Sequence, residues 1–273
     1  MMRNGPWWLS KLTRGLNRER GAGRVLSRVY GAGLNWFYGD GGIDWITNGE
    51  HVRIHPAVRG KIPPLNEVEL FTFLKDGVRP GQVVFDVGTF IGTYAVFEAR
   101  WVGPGGRVVA FEPTAKNWPM IEAHLKMNGV ADRVELIRAA AGDRSGHTTF
   151  YQHHRDSDQN SVLPLLTEAG TATRVPMVTL DEIAETLNLM PDWIRMDVQG
   201  FEVSVLRGAQ RILAQTDKPV RIVVELHPGI WSLNGSSVSD VREALRALGL
   251  AVKPIPPATE LFPDGGHVEL VRG

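Results

Sequence analysis

The sequence predicts an α/β fold, a mostly parallel β-sheet with helices on both faces. Short runs rich in valine and isoleucine recur from residue 82 onward, and segments with helical spacing separate them. That alternation builds right-handed βαβ units. Four of the five predicted core strands also end on ionisable side chains: Asp86, Glu112, Asp197 and the stretch Glu225–His227, with Ala140 the exception. In parallel sheets ligands bind beyond the carboxyl ends of the strands.

The elements follow in order. Residues 31–60 are rich in glycine and aromatics with weak periodicity, and read as a linker or lid. Residues 67–74 have helical spacing, and "VRPG" is a turn. Strand 82–87 leads to helix 92–102, strand 107–113 and helix 114–128, with Thr114 as its expected N-cap. Strand 133–140 comes next, and residues 142–174 are polar and irregular. Strand 175–180 precedes a helix over 181–189, expected to be capped by Asp181. Strand 192–198, helix 202–213, strand 220–227 and helix 238–249 complete the alternation. "LAVKPI" and "HVELVR" are two short strand candidates in the tail.

At 273 residues the chain holds one α/β domain and an appendage. Lys plus Arg (30) equals Asp plus Glu (30), which gives no argument for a nucleic-acid partner. There is no cysteine, which excludes disulfides, thiolate zinc sites and thiol catalysis. A cytoplasmic location is expected. Residues 1–30 carry seven Lys or Arg against Glu19, a local charge of +6, with Trp7 and Trp8 among their apolar residues. Residues 1–60 are taken as a basic helical N-terminal extension or lid, and 61–273 as the main domain. The extension is expected to pack on that domain or shape a substrate mouth. Peripheral contact of residues 1–30 with an anionic membrane is the alternative. A homo-oligomer is left open.

"DVGTFIGTYA" (86–95) reads as strand, glycine-rich turn and helix, with Gly88 and Gly92 letting backbone approach a ligand. Glu112, 26 positions after Asp86, can accept hydrogen bonds from both hydroxyls of a ribose. A dinucleotide calls for G-x-G-x-x-G, whose middle glycine is missing. An acidic rim of Asp86 with Asp197 suits a positively charged nucleoside. S-adenosylmethionine, which carries a sulfonium and an ammonium and no phosphate, is therefore the expected cofactor. Its expected contacts are Asp86, Gly88, Thr89, Phe90, Gly92, Thr93, Glu112, Pro113, Ala140 and Asp197.

Over residues 80–227 the chain resembles the FkbM-like methyltransferases. The resemblance rests on "VVFDVGTFIGTYA", "VVAFEPTAKNWPMIEAHLKMNG", "VTLDEIAE", "IRMDVQGFEVSVLRGA" and "VVELH". Arg195 stands where that family usually has lysine, and Gln199 where it usually has glutamate. The resemblance implies a Rossmann-like class I methyltransferase fold and S-adenosylmethionine-dependent O-methylation of a small-molecule hydroxyl, on a sugar, polyketide or other secondary metabolite. A catalytically idle methyltransferase-fold binding protein and a nicotinamide oxidoreductase are the alternatives.

A hydroxyl is a poor nucleophile and gains from a general base. Asp197, His227 and Glu225 are the catalytic candidates. Asp197 is expected to bind the ammonium, orient the acceptor or take its proton. His227 is the better base by intrinsic pKa, and Glu225 either orients it or sits in a structural hydrogen bond. Glu202, at a helix start, reads as structural. No metal site is expected, although Asp197, Glu225 and His227 offer oxygen and nitrogen ligands. "HHRDSD" (153–158) reads as a solvated or substrate-covering loop.

Overall fold

The structure is a computed structural model, and it describes residues 41–153, 170–233, 236–262 and 266–273. The basic segment 1–30 and all but His153 of the 153–158 cluster lie outside the described residues.

A hairpin opens the described chain, β1 (Ile43–Thr47) and β2 (Glu50–Ile54), followed by α1 (Val68–Gly77). Then come β3 (Val83–Val87), α2 (Thr93–Val102), β4 (Arg107–Phe111), α3 (Trp118–Met127) and β5 (Val134–Ile137). An insert of β6 (Ala140–Ala141), β7 (Gly146–His153) and β8 (Gly170–Val178) precedes α4 (Leu180–Leu187) and β9 (Trp193–Met196). The chain continues through α5 (Glu202–Arg207), α6 (Gln210–Leu213), β10 (Arg221–Leu226), α7 (Pro228–Leu233), α8 (Val238–Ala247), β11 (Leu250–Pro254) and β12 (Gly266–Arg272).

The main sheet has seven strands in the order β11-β12-β10-β9-β3-β4-β5. β3, β4, β5, β9 and β10 run parallel, and β12 runs antiparallel between β10 and β11. The strand sequences dictate two buried faces. Val84, Val108, Ala110, Trp193 and Val223 join a core with α1, α2 and α3. Their neighbours Phe85, Val87, Val109, Phe111, Ile194, Met196, Ile222 and Val224 join the opposite core with α4, α5, α6, α7 and α8. Successive side chains of a strand face opposite ways, so these near-continuous apolar runs feed both layers. Each fully buried Phe, Ile or Val stabilises by about 1.5–3 kcal/mol.

Several expectations change. Within residues 31–60, the β1–β2 hairpin was legible in Asn48-Gly49. These residues have φ of 50° and 77°, the left-handed pair a two-residue turn needs. Val52, Ile54 and Val58 belong to the same core as α1, α2 and α3. Within 142–174, β7 and β8 pair antiparallel from Gly146 with Met177 to His153 with Gly170. Thr114 is not an N-cap, because α3 begins at Trp118 with Pro119 in its first positions. Thr179, not Asp181, caps α4. Asp181 instead accepts hydrogen bonds from the backbone N–H groups of Arg211 and Ile212, holding the start of α6. The helix expected over 202–213 is two helices separated at Gly208-Ala209. A Cβ on Gly208 would lie 2.0 Å from the carbonyl oxygen of Gly142, so backbone contact sets that break.

Candidate active site

The parallel strands deliver their carboxyl ends to one rim, where two cavities adjoin. The first, of about 580 Å³, is lined by Phe111, Ala139, Ala140, Ala141, Phe150 and Phe201, with Glu112, Pro113 and Thr114 along one side. No Lys, Arg or His is among its described lining residues. The second, of about 1080 Å³, is polar, with Lys61, Asn66, Glu67, Thr89, Thr93, Tyr94, Arg195, Glu225 and His227 in its lining. Gly88, Phe90, Asp197 and Gln199 line both.

The β3 turn shapes this junction. The backbone N–H groups of Gly88 and Thr89 both donate to the carbonyl of Phe111. Gly88 has φ +87°, and a Cβ there would lie 1.9 Å from the Asp197 carbonyl oxygen. Only glycine lets the ends of β3 and β9 come this close. Gly92 lines neither cavity. It precedes α2 with φ +78°, and a Cβ there would press on Ile121 of α3 at 3.1 Å.

Glu112 follows β4 and is held from three sides. Its Oε1 accepts from the Thr114 backbone N–H (2.8 Å) and Asn117 Nδ2 (3.3 Å), and its Oε2 from the Phe90 N–H (3.0 Å). Burial pushes its carboxyl up to about 7, against the pull of those hydrogen bonds.

Asp86 corrects the expected acidic rim. It is fully buried and lines neither cavity. It is paired in register with Arg195 across the β3–β9 ladder, and Arg195 Nη1 donates to its Oδ1 at 3.0 Å. Its charge is therefore met inside the protein. The Arg195 guanidinium lies 4.3 Å from the ring centroid of Tyr94 and also donates to the Gly88 carbonyl at 3.3 Å. Glu98 of α2 is fully buried in this region, and burial and the charge of Asp86 raise its pKa.

Asp197 follows β9 and is held by its own backbone N–H to the Val87 carbonyl. Its Oδ1 accepts from Gln199 Nε2 at 2.8 Å, and its Oδ2 lies 3.9 Å from Arg195 Nη2. His227, just beyond β10, places Nε2 3.9 Å from Asp197 Oδ1 and 3.7 Å from Glu225 Oε1. The three catalytic candidates thus meet at one point. Burial disfavours the His227 imidazolium. The hydrogen bond and charge of Glu202, with Asp197 and Glu225, outweigh it and raise the pKa to about 9. Burial and the charge of Asp197 push Glu225 up to about 8.

Sequence reasoning passed over Glu67, which lines the second cavity, and His267, which meets Glu67 and Glu225. His267 Nε2 lies 3.4 Å from Glu67 and 3.9 Å from Glu225 Oε2. Glu67 sits in a loop and His267 on β12, remote in sequence from the motifs, so no local signal marks them. Asp197, Glu225 and His227 form one group whose ligand atoms lie within 4.8 Å of one another, and Glu67, Glu225 and His267 form another.

The sheet order, with β12 reversed between β10 and β11, is that of a class I methyltransferase fold. A mostly apolar slot that carries the Glu112 carboxylate and has no Lys, Arg or His among its described lining residues fits a nucleoside without phosphates. The model of the methyltransferase FkbM domain matches residues 86–250, and the chain belongs to that family. S-adenosylmethionine is accordingly its cofactor. A relative from Streptomyces tacrolimicus, 31-O-demethyl-FK506 methyltransferase FkbM, is 31% identical over 193 residues, 58% of this chain and 72% of the relative. Hexuronic acid methyltransferase AglP of Haloferax volcanii is 25% identical over 165 residues, 60% of this chain and 64% of the relative. The solved structure of a methyltransferase FkbM from Methylobacillus flagellatus KT superposes with a TM-score of 0.48 at 12% identity, covering 96% of this chain and 58% of that one. Among the described residues no helix is long and apolar enough to cross a membrane.

Proposed function

We propose that the protein is an O-methyltransferase that moves the methyl group of S-adenosylmethionine to a hydroxyl of a small polyhydroxylated acceptor, a sugar or natural product. One observation carries this reading. An apolar nucleoside slot and a polar cavity share a wall, and Asp197, Glu225 and His227 stand at that wall on the polar side. The relatives named for 31-O-demethyl-FK506 and for hexuronic acid support the acceptor class.

When bound, the cofactor supplies a methyl on a sulfonium, already a good leaving group. The protein's part is alignment, exclusion of water and removal of the hydroxyl proton. Phe111, Pro113, Ala140, Phe150 and Phe201 line the slot and would hold the adenine, and Glu112 beside them would meet the ribose. Asp197 and the backbone at Gly88 and Phe90 would hold the methionine part. Thr89 and Thr93 lie on the acceptor side. His227 Nε2 would take the proton of the acceptor hydroxyl as that oxygen receives the methyl group that the cofactor supplies. Glu225 flanks that nitrogen.

The test has two arms. Thermal unfolding is followed with S-adenosylmethionine, S-adenosylhomocysteine and NAD, where a ligand at a hundred times its Kd adds about 2.7 kcal/mol. Labelled methyl transfer is then screened over hydroxylated acceptors. A shift with the first two ligands and label in an ether product are expected. A shift with NAD alone, or label confined to non-hydroxyl products, sinks the reading.

A further inference from the structure

Glu202 opens α5, where a carboxylate is ordinarily explained by the helix dipole. Its surroundings ask for more. It is 2% exposed. Its Oε1 accepts from the Gly200 N–H at 2.9 Å and from His227 Nδ1 at 2.8 Å, and its Oε2 accepts from Trp231 Nε1 at 2.8 Å. The donors come from three places: the turn after β9, the end of β10, and α7. A carboxylate that served its own helix would not need the last two.

We propose that Glu202 is a positioning residue for methyl transfer, which fixes the His227 tautomer and ring plane so that Nε2 faces the acceptor hydroxyl. The inference rests on His227 being the proton acceptor, as proposed above. An ionised carboxylate offers no proton, so the nitrogen it touches carries one. Nδ1 is thereby the N–H of the neutral ring, and Nε2 is left with its lone pair. Which nitrogen is free in a histidine is set by the bond the other one makes. Nε2 then points at Asp197 Oδ1 and Glu225 Oε1, at 3.9 and 3.7 Å, both too long for hydrogen bonds. Neither carboxylate therefore takes up the Nε2 lone pair. Trp231 is 3% exposed, and its indole N–H pins the other carboxylate oxygen, so Glu202 cannot rotate away without stranding a buried donor.

Charges face His227 from each element around it. Glu202 comes from α5, Asp197 from the end of β9 and Glu225 from β10 itself. Arg195, Glu67 and His267 form the next ring. Glu202 is the one in hydrogen-bond contact among the described residues.

The experiment uses the full chain with a nitrogen-15 label in histidine. Imidazole NMR across pH reports the tautomer and titration of His227, with His227→Ala for assignment. In the unmodified protein the neutral ring is expected to carry its proton on Nδ1. In Glu202→Gln the His227 titration should move to lower pH. Turnover should fall about tenfold or more while the cofactor Kd stays within about twofold. Trp231→Phe removes the indole N–H that pins Glu202 but leaves the carboxylate, and should move the titration less than Glu202→Gln does. A neutral ring protonated on Nε2, or an unmoved titration in Glu202→Gln, overturns the proposal. If Glu202→Gln does not fold, the tautomer in the unmodified protein still decides. Full turnover in His227→Ala would remove the base itself, and the NMR result is read separately from it.

Discussion

Asp86 and Arg195 are register partners on adjacent parallel strands, joined at 3.0 Å in the middle of the sheet with almost no solvent exposure. Arg195→Met leaves Asp86 and Glu98 buried without their cation. Breaking a buried pair by removing one partner costs about 3–5 kcal/mol, so urea unfolding should show a loss of that size. Asp86→Asn should cost less, because Glu98 is then free to ionise toward Arg195. Equal losses in both variants would mean that Glu98 is not coupled to the pair.

His227→Ala is expected to lower turnover by about 10²-fold or more with cofactor affinity retained. Asp197→Asn should weaken cofactor binding as well as turnover, because Asp197 borders both cavities. The pKa of His227 near 9 gives the direction of the pH profile. In the free enzyme kcat/KM should climb with pH and level off near that value. A profile flat from pH 6 to 9 would rule out His227 as the group that takes the proton.

Gly88→Ala places a methyl 1.9 Å from the Asp197 carbonyl oxygen at φ +87°. Strain of order 1–3 kcal/mol from the backbone alone is expected, with more from the clash as the strands separate. The melting temperature should drop and S-adenosylmethionine titration should lose its signal. Gly129→Ala is the control for the conformational cost. It also has positive φ, at +65°, but meets no atom within 4 Å.

Three groups with raised pKa values and one with a lowered value shape the pH dependence of stability. His227 is raised from 6.5 to about 9, Glu225 from 4.5 to about 8 and Glu112 from 4.5 to about 7. Each binds its proton more tightly when folded, so each stabilises below its unfolded pKa and loses that contribution as pH rises through the folded value. Glu67, lowered to about 2, acts oppositely and costs stability as pH falls below its unfolded value of 4.5. The melting temperature of the cofactor-free protein should therefore peak in the mildly acidic range and fall steadily toward pH 9. A maximum above pH 8 would contradict these assignments.

The alternating architecture was legible because parallel strands buried on both faces are written as short unbroken apolar runs. The rim was legible because strand ends are fixed by those runs. What Asp86 does there was not. Its letter is the same whether it meets a ligand or Arg195, and the cross-strand register that decides is a tertiary fact. The partners of Glu202 were hidden for the same reason, since two of its three donors lie 25 and 29 residues away. Gln199 stands where the resembled family usually has glutamate. At φ +51° it donates to Asp197, where a second carboxylate would repel. The hairpin at Asn48-Gly49 was readable and was passed over.

Gly88, Phe90, Asp197 and Gln199 are shared by the linings of two chambers. Any adjustment a ligand makes to that shared lining from one side is felt on the other with the same free energy, in both directions. Donor and acceptor then act as effectors of each other's affinity. A spent donor that lingers in its slot would retune the acceptor chamber before the next turnover begins.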